Sequence, residues 1–241
     1  MEKFKNIKVV AMDLDGTLTQ HKTLLSPENR AALDALSKKY KLLMLGAGMC
    51  NRIFNQMGKY PIDILGNYGL QYAEYNEKTG EIDIIFDNVL PCERESVEAR
   101  VTAMREKYGF TEFAGENVEF HSSGCVTFPI LGTKAKQEDK LAFDPDRKKR
   151  RAIYDDVINT FPEYKVFVGG SSSFDMAPYP FDKAYALGKY CDERGILHSE
   201  VVFIGDDYGL GGNDESVFKA DFNTIKIDNY LDFPKVIEPL L

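Results

Sequence analysis

The chain predicts an α/β fold, a doubly wound parallel sheet with a smaller α+β domain inserted into it, and three features of the sequence support this. Strand-like and helix-like patterns alternate β-α-β-α-β between Lys8 and Leu65, as parallel sheets require. Between Val118 and Ala177 the pattern changes to short runs (VEFH, CVTFPI, KVFVGG, SFDMA) broken by Gly and Ser around a helical stretch from Asp146 to Thr160. Beyond that, a helix opening at Phe181 and a buried strand at Val201–Ile204 resume the first pattern. The expected organisation is a core from residues 1–86 and 180–241, with residues 87–179 forming the insertion.

Each element has a local reason. Val9 to Met12 is an apolar run ended by an Asp-Gly turn signal, the signature of a buried parallel strand. Ser26 and Pro27 are N-cap and first-turn residues for a helix with apolar positions Ala31, Leu33, Ala35 and Leu36. Lys41–Leu45 is a second strand leading into Gly46-Ala47-Gly48, followed by a helix through Met57 and a third strand at Ile62–Leu65. Alternation from Tyr68 to Phe86 about Gly80 predicts an antiparallel hairpin. Glu93–Tyr108 reads as a charged amphipathic helix stopped by Gly109, its Glu and Arg residues a solvated face, and the same reading applies to the basic run Arg147–Arg151. The chain closes with a helix to about Arg194, the strand at Val201–Ile204, a Gly-rich turn, a fifth strand at Thr224–Ile227 and a final helix.

Composition narrows the function classes. A net charge of −8 disfavours nucleic acid or an anionic membrane as partner, so an anionic substrate must be met by locally placed cations. No apolar run approaches the roughly 20 residues of a membrane span. The four cysteines show no metal-binding or redox spacing, which fits free thiols in a reducing cytoplasm. The expectation is a cytoplasmic protein, monomer or homodimer, with a small-molecule ligand.

The chemistry concentrates where the first strand ends. Asp13 and Asp15 are two residues apart, so the period-two rule leans both toward one side. Two such charges at 4 Å repel by about 4 kcal/mol at an effective dielectric near 20, and a hard metal ion is the natural relief. Gly46-x-Gly48 also begins a dinucleotide fingerprint, but the third glycine position is Asn51 and no acidic residue closes a following strand, so that class is set aside.

As a whole, DLDGTLT (Asp13–Thr19) resembles the first motif of the haloacid dehalogenase (HAD) superfamily of phosphatases and phosphotransferases. GDDYGLGGND (Gly205–Asp214), NVEFHSSGCVTFPILG, VGGSSSFDMAP and FDKAYAL resemble, in order, segments of its eukaryotic-type phosphomannomutase branch, alongside Cof-like sugar phosphatases. The resemblance implies a Rossmann-like HAD core with an α+β cap. It makes Asp13 the nucleophile and a Mg²⁺ ligand, Asp15 the acid/base and a ligand through its carbonyl, Asp206 a direct metal ligand and Lys183 the tether between nucleophile and phosphoryl group. Asn213 and Asp214 fall at positions behind the metal ligands, with Asp207 beside them. Ser173 and Asp175 match cap positions near the sugar. The hydroxyl usual at the second strand end is absent, Ala47 or Gly48 of Gly46-Ala47-Gly48 standing there by alignment, so backbone N–H groups at the start of the following helix are expected to hold the anion. Where the mutases carry arginines for the distal phosphate, this chain holds Lys22, His121, Gly132 or Thr133, and Lys140. Loss of that bidentate clamp favours hydrolysis. A Mg²⁺-dependent sugar-phosphate phosphatase is therefore the first expectation. A phosphomannomutase, with Lys22, Lys140 and Lys134 or Lys136 as clamp, is the second, and a catalytically weak phosphate-responsive module the third.

Overall fold

The computed structural model describes residues 4–241, which form two compact units. The first comprises the chain to Asn88, Asp182–Tyr208 and Asp214–Leu241; the second comprises Val89–Phe181 and Gly209–Asn213. The Gly209–Asn213 segment thus packs with the inserted unit rather than with the sheet it follows in sequence.

In the first unit the strands are β1 (Val9–Met12), β2 (Lys41–Leu45), β3 (Asp63–Gly66), β4 (Gln71–Asn76) and β5 (Glu81–Asp87), then β10 (Val201–Gly205) and β11 (Asn223–Lys226). They form one sheet of order β11-β10-β1-β2-β3-β4-β5. All pairs are parallel except those of the β3-β4-β5 meander. Both faces of the sheet are covered. Val10 and Met12 of β1 pack with Met44, Ile64 and Ile204 against helices α1 (Pro27–Ser37) and α2 (Cys50–Gln56), while Val9 and Ala11 pack with Leu43, Leu45 and Phe203 on the other face. That second face belongs to α7 (Lys183–Arg194) and α8 (Glu215–Lys219). Burial on both faces is why these strands read as continuous apolar runs rather than alternating ones. The closing helix α9 is short, Phe233–Val236.

The second unit carries a four-stranded antiparallel sheet of order β6-β7-β9-β8, with β6 at Glu119–Phe120, β7 at Val126–Pro129, β8 at Tyr164–Phe167 and β9 at Ser173–Pro178. Helix α3 (Arg94–Tyr108) buries Val97, Val101 and Met104, which pack with Val126, Phe128, Phe174 and Met176 of the sheet. The helix expected over Asp146–Thr160 is two pieces, α5 (Lys148–Arg151) and α6 (Tyr154–Thr160), preceded by α4 (Gln137–Phe143).

Two arginines expected on solvated faces are buried. Arg150 pairs with Asp144 through Nε–H donated to Oδ2 at 2.9 Å, both side chains being at most 1% exposed. Its Nη1 donates to the carbonyls of Gly169 and Ser173, so the guanidinium ties the β8–β9 loop to the helical layer. Arg105 has no carboxylate partner among the described residues and instead donates to the carbonyls of Phe110, Pro129 and Ile130 and to Asn117, with burial pulling its pKa down to about 10. Replacing Arg150 by Ala strands a buried Asp144 and is expected to cost about 3–5 kcal/mol of stability, read as a fall in the urea midpoint at unchanged m-value.

Candidate active site

The site is built where β1 and β10, adjacent and parallel, both end. The β1 chain continues through Asp13, whose N–H donates to the Ile204 carbonyl at 3.0 Å, into a turn in which Gly16 takes φ +102°. Gly16 is required on two counts. L residues avoid that φ, and a Cβ there would collide with the Asp206 carboxylate. Thr17 Oγ1 donates to Asp206 Oδ1 at 3.2 Å, fixing the rotamer of that carboxylate across 189 residues of sequence.

Carboxylate oxygens of Asp13, Asp206 and Asp214 lie within 4.8 Å of one another. Lys183 joins two of them, its Nζ donating to Asp13 Oδ1 at 2.5 Å and to Asp214 Oδ1 at 2.6 Å. Asp182 caps α7 by accepting from the Tyr185 N–H at 2.8 Å, which sets Lys183 at the first helical position. A cation there opposes the helix dipole, so the placement serves the carboxylates and not the helix. Burial alone lowers the pKa of Lys183, but Asp13 and Asp214 more than reverse this and hold it above the ordinary lysine value. The Asp13 carboxyl is pushed well up by burial; Lys183 opposes that rise, and the Asp214 and Asp206 charges add to it. Three carboxylates face one ammonium, and the excess negative charge is presented by oxygen atoms alone. That donor set suits a hard divalent cation such as Mg²⁺.

Asp15 departs from its expected place, since its carboxylate is not in this group. Its Oδ1 accepts from the Lys22 N–H at 2.8 Å and from Gln56 Nε2 at 2.6 Å, and Oδ2 stands 3.6 Å from Arg52 Nη1. The reason is local. β1 ends at Met12 and Asp15 already sits in the turn, in a bridge with Thr19, so strand alternation does not govern its direction. The third member of the cluster is Asp214, which the sequence placed behind the metal ligands. Asp207 lies against it, donating its N–H to Asp214 Oδ2 at 3.1 Å.

Gly46, Ala47 and Gly48 follow β2, next to the β1 turn. The first amide of α2 is not available to an anion, because the Cys50 N–H donates to Gln71 Oε1 at 2.7 Å, and the Gly46 N–H donates to Leu65. In the second unit, His121, Ser173 and Asp175 converge on one hydrogen-bonded row. Asp175 Oδ1 accepts from Thr127 Oγ1 at 3.1 Å and Ser173 Oγ at 3.4 Å, and His121 Nε2 meets Thr127 Oγ1 at 3.1 Å. Lys140 stands apart from this row and donates to the Thr133 carbonyl. Asn213 belongs to this unit and Asp214 to the first. Gln56 and Arg52, which surround Asp15, carried no motif, and Thr127, which bonds directly to Asp175, lay within NVEFHSSGCVTFPILG without being singled out. Thr17, which holds Asp206, was legible only as part of DLDGTLT.

This fold with this cluster defines an enzyme of the HAD superfamily that handles phosphoryl groups. A family model described as eukaryotic phosphomannomutase matches residues 109–231, and the chain belongs to that family. Relatives include a phosphomannomutase of Saccharomyces cerevisiae, 26% identical, covering 92% of this chain and 89% of the relative, and a probable phosphomannomutase of Caenorhabditis elegans, 25% identical, covering 90% and 88%. Among solved structures, a HAD-superfamily phosphatase from Bacteroides thetaiotaomicron superposes with a TM-score of 0.62 at 17% identity, over 97% of this chain and 94% of that one. The Plasmodium falciparum IMP-nucleotidase, in an N-terminally truncated form, gives 0.66 at 15% identity, over 98% and 71%. At these identities the solved structures establish the shared fold.

Proposed function

We propose that the protein is a Mg²⁺-dependent phosphoryl-transfer enzyme of phosphomannomutase type, moving a phosphoryl group between positions of a hexose phosphate through Asp13. The observation that carries this reading is the buried Asp13–Lys183–Asp214 bridge with Asp206 alongside, in a chain of this family. Asp13 Oδ1 is neutralised by Lys183, which favours the approach of this carboxylate to a phosphate dianion and then steadies the aspartyl phosphate. Asp15, held by Gln56 and the Lys22 amide, gives a proton to the departing sugar oxygen and recovers it from the incoming one. Asp13, Asp206 and Asp214 are the side chains for Mg²⁺, with the Asp15 carbonyl a further oxygen ligand. When bound, the ion supplies charge neutralisation at the transferring group. Within the second unit, Ser173 and Asp175, with Thr127 and His121 in the same hydrogen-bonded row, are the residues the family resemblance assigns to the sugar.

Hydrolysis is the second reading. It is favoured by Lys22, His121 and Lys140 at the places where the mutases hold arginines, because a hydrolase has no need to rebind a bisphosphate in two orientations. The four free cysteines are in keeping with a reducing cytoplasm, and among the described residues no helix is long and apolar enough to cross a membrane. The deciding experiment supplies Mg²⁺, mannose 1-phosphate and a hexose 1,6-bisphosphate activator. Mannose 6-phosphate should accumulate faster than inorganic phosphate; stoichiometric phosphate release without isomer removes the mutase reading and leaves the phosphatase.

A further inference from the structure

We infer that Arg151 is a positioning residue of the metal site: it holds the tip of the loop Gly209–Asn213, and so steadies the two carboxylates, Asp206 and Asp214, that this loop joins. The inference rests on the reading of Asp13, Asp206 and Asp214 as the Mg²⁺ side chains, and adds a residue that no motif marks.

The base of the loop is closed twice. The Asp214 N–H donates to the Asp207 carbonyl at 3.1 Å, and the Asp207 N–H donates to Asp214 Oδ2 at 3.1 Å. At the tip the Gly212 N–H donates to the Gly209 carbonyl at 2.8 Å, and the tip residues Gly209–Asn213 pack as part of the second unit. Gly209, Gly211 and Gly212 give this segment little stiffness of its own, because glycine has the most backbone freedom to lose. Its shape must come from what holds it.

Two sets of contacts within the second unit hold it. Val168, fully buried just after β8, donates its N–H to the Gly211 carbonyl at 2.8 Å. Gly211 takes φ +72° and lies so close to Val168 and the Tyr154 ring that a Cβ there would stand 2.8 Å from each. Arg151, the last residue of α5, adds the second hold: its Nε donates to the Leu210 carbonyl at 3.0 Å, and its guanidinium lies against Gly209, where a Cβ would come within 2.5 Å of Nη2. The backbone that carries Arg151 is itself fixed, because the neighbouring Arg150 is tied to Asp144 and to the Gly169 carbonyl. The two arginines of one basic run thus have separate tasks.

A loose loop between two metal ligands must be ordered when the cation binds, and that ordering subtracts from affinity; a loop ordered beforehand avoids the loss. Arg151 therefore raises cation affinity without touching the cation.

The test measures Mg²⁺ binding by calorimetry, and hydrogen exchange over residues 207–214 in EDTA, on the full chain and its variants. Arg151→Ala should weaken Mg²⁺ binding by about three- to tenfold, the scale of one charge-assisted hydrogen bond discounted for a partly exposed donor. The Asp207 and Asp214 amides should exchange faster without cation, and the Mg²⁺ concentration for half-maximal turnover should rise by the same factor. Gly209→Ala is the second arm. Gly209 does not use the left-handed region, so its backbone tolerates alanine, and the new methyl displaces the guanidinium, which is the mobile end of a long side chain. This variant should weaken Mg²⁺ binding by itself yet add little to Arg151→Ala, whose guanidinium is already gone. An arginine that only stabilises the second unit would lower the urea midpoint in EDTA and leave Mg²⁺ affinity unmoved. Arg151→Ala and Gly209→Ala proteins that bind Mg²⁺ as the wild type does overturn this inference alone. A wild-type protein that binds no Mg²⁺ overturns the reading of the metal site, and this with it.

Discussion

Asp13→Asn is expected to lower turnover by about 10⁴-fold or more, to the limit of detection, while leaving the protein folded. The amide keeps the shape of the side chain but cannot attack phosphorus, and it loses the charge that a metal ligand needs. The fold survives because Lys183 keeps Asp214 as its partner and because Asp206 and Asp214 lose a like charge beside them. Burial and the neighbouring carboxylates push the Asp13 carboxyl up against the pull of Lys183, so the neutral amide relieves repulsion that offsets the lost ion pair in the cation-free protein. Melting curves of the two proteins in EDTA should therefore nearly coincide while their activities separate completely. Residual turnover near the wild-type rate in a folded Asp13→Asn protein would mean that another group accepts the phosphoryl.

Lys183→Met should damage activity and stability together. The ammonium is 1% exposed and bridges carboxylates that are themselves 6% and 0% exposed, so its removal leaves two buried negative charges unpaired. Breaking a buried pair on one side costs about 3–5 kcal/mol, and the loss should appear in EDTA as a lowered urea midpoint. Saturating Mg²⁺ should restore part of it, because a cation held by the same oxygens takes over the neutralisation. Lys183 is held above its ordinary value, so its stabilising contribution is complete below the usual lysine pKa of about 10.4 and is lost only as pH rises through the folded value. The deficit of the variant should accordingly persist across the neutral range and narrow only in strong alkali. Turnover should fall by several orders of magnitude in Mg²⁺ as well. A variant as stable as the wild type in EDTA would show that the bridge is not what holds the carboxylates together.

The parts of this site that the sequence reveals are those whose chemistry is written locally. Asp13 follows a doubly buried strand and precedes a Gly turn, and Gly205-Asp206-Asp207 repeats that arrangement on the neighbouring strand. The α/β order and the inserted antiparallel sheet were legible for the same reason, since period and turn residues are short-range signals. What was not legible depends on partners brought from far along the chain. Arg150 sits in a basic run that looks solvated, and only the carbonyls of Gly169 and Ser173 reveal that it is buried. Helix α4 buries none of its residues and so leaves no apolar stripe to find. Asp15 turned away from the cluster because the strand had ended, and Asp214 entered it because Lys183 draws it toward Asp13.

The most direct measurement of the central claim is to identify the residue that carries the phosphoryl group. The protein is mixed with Mg²⁺ and a hexose bisphosphate, acid-quenched within a turnover, treated with borohydride to reduce any acyl phosphate to an alcohol, and digested for peptide mass spectrometry. Conversion of Asp13 to homoserine, absent from Asp13→Asn, is the expected result. Turnover accompanied by reduction at another carboxylate, or at none, would contradict it.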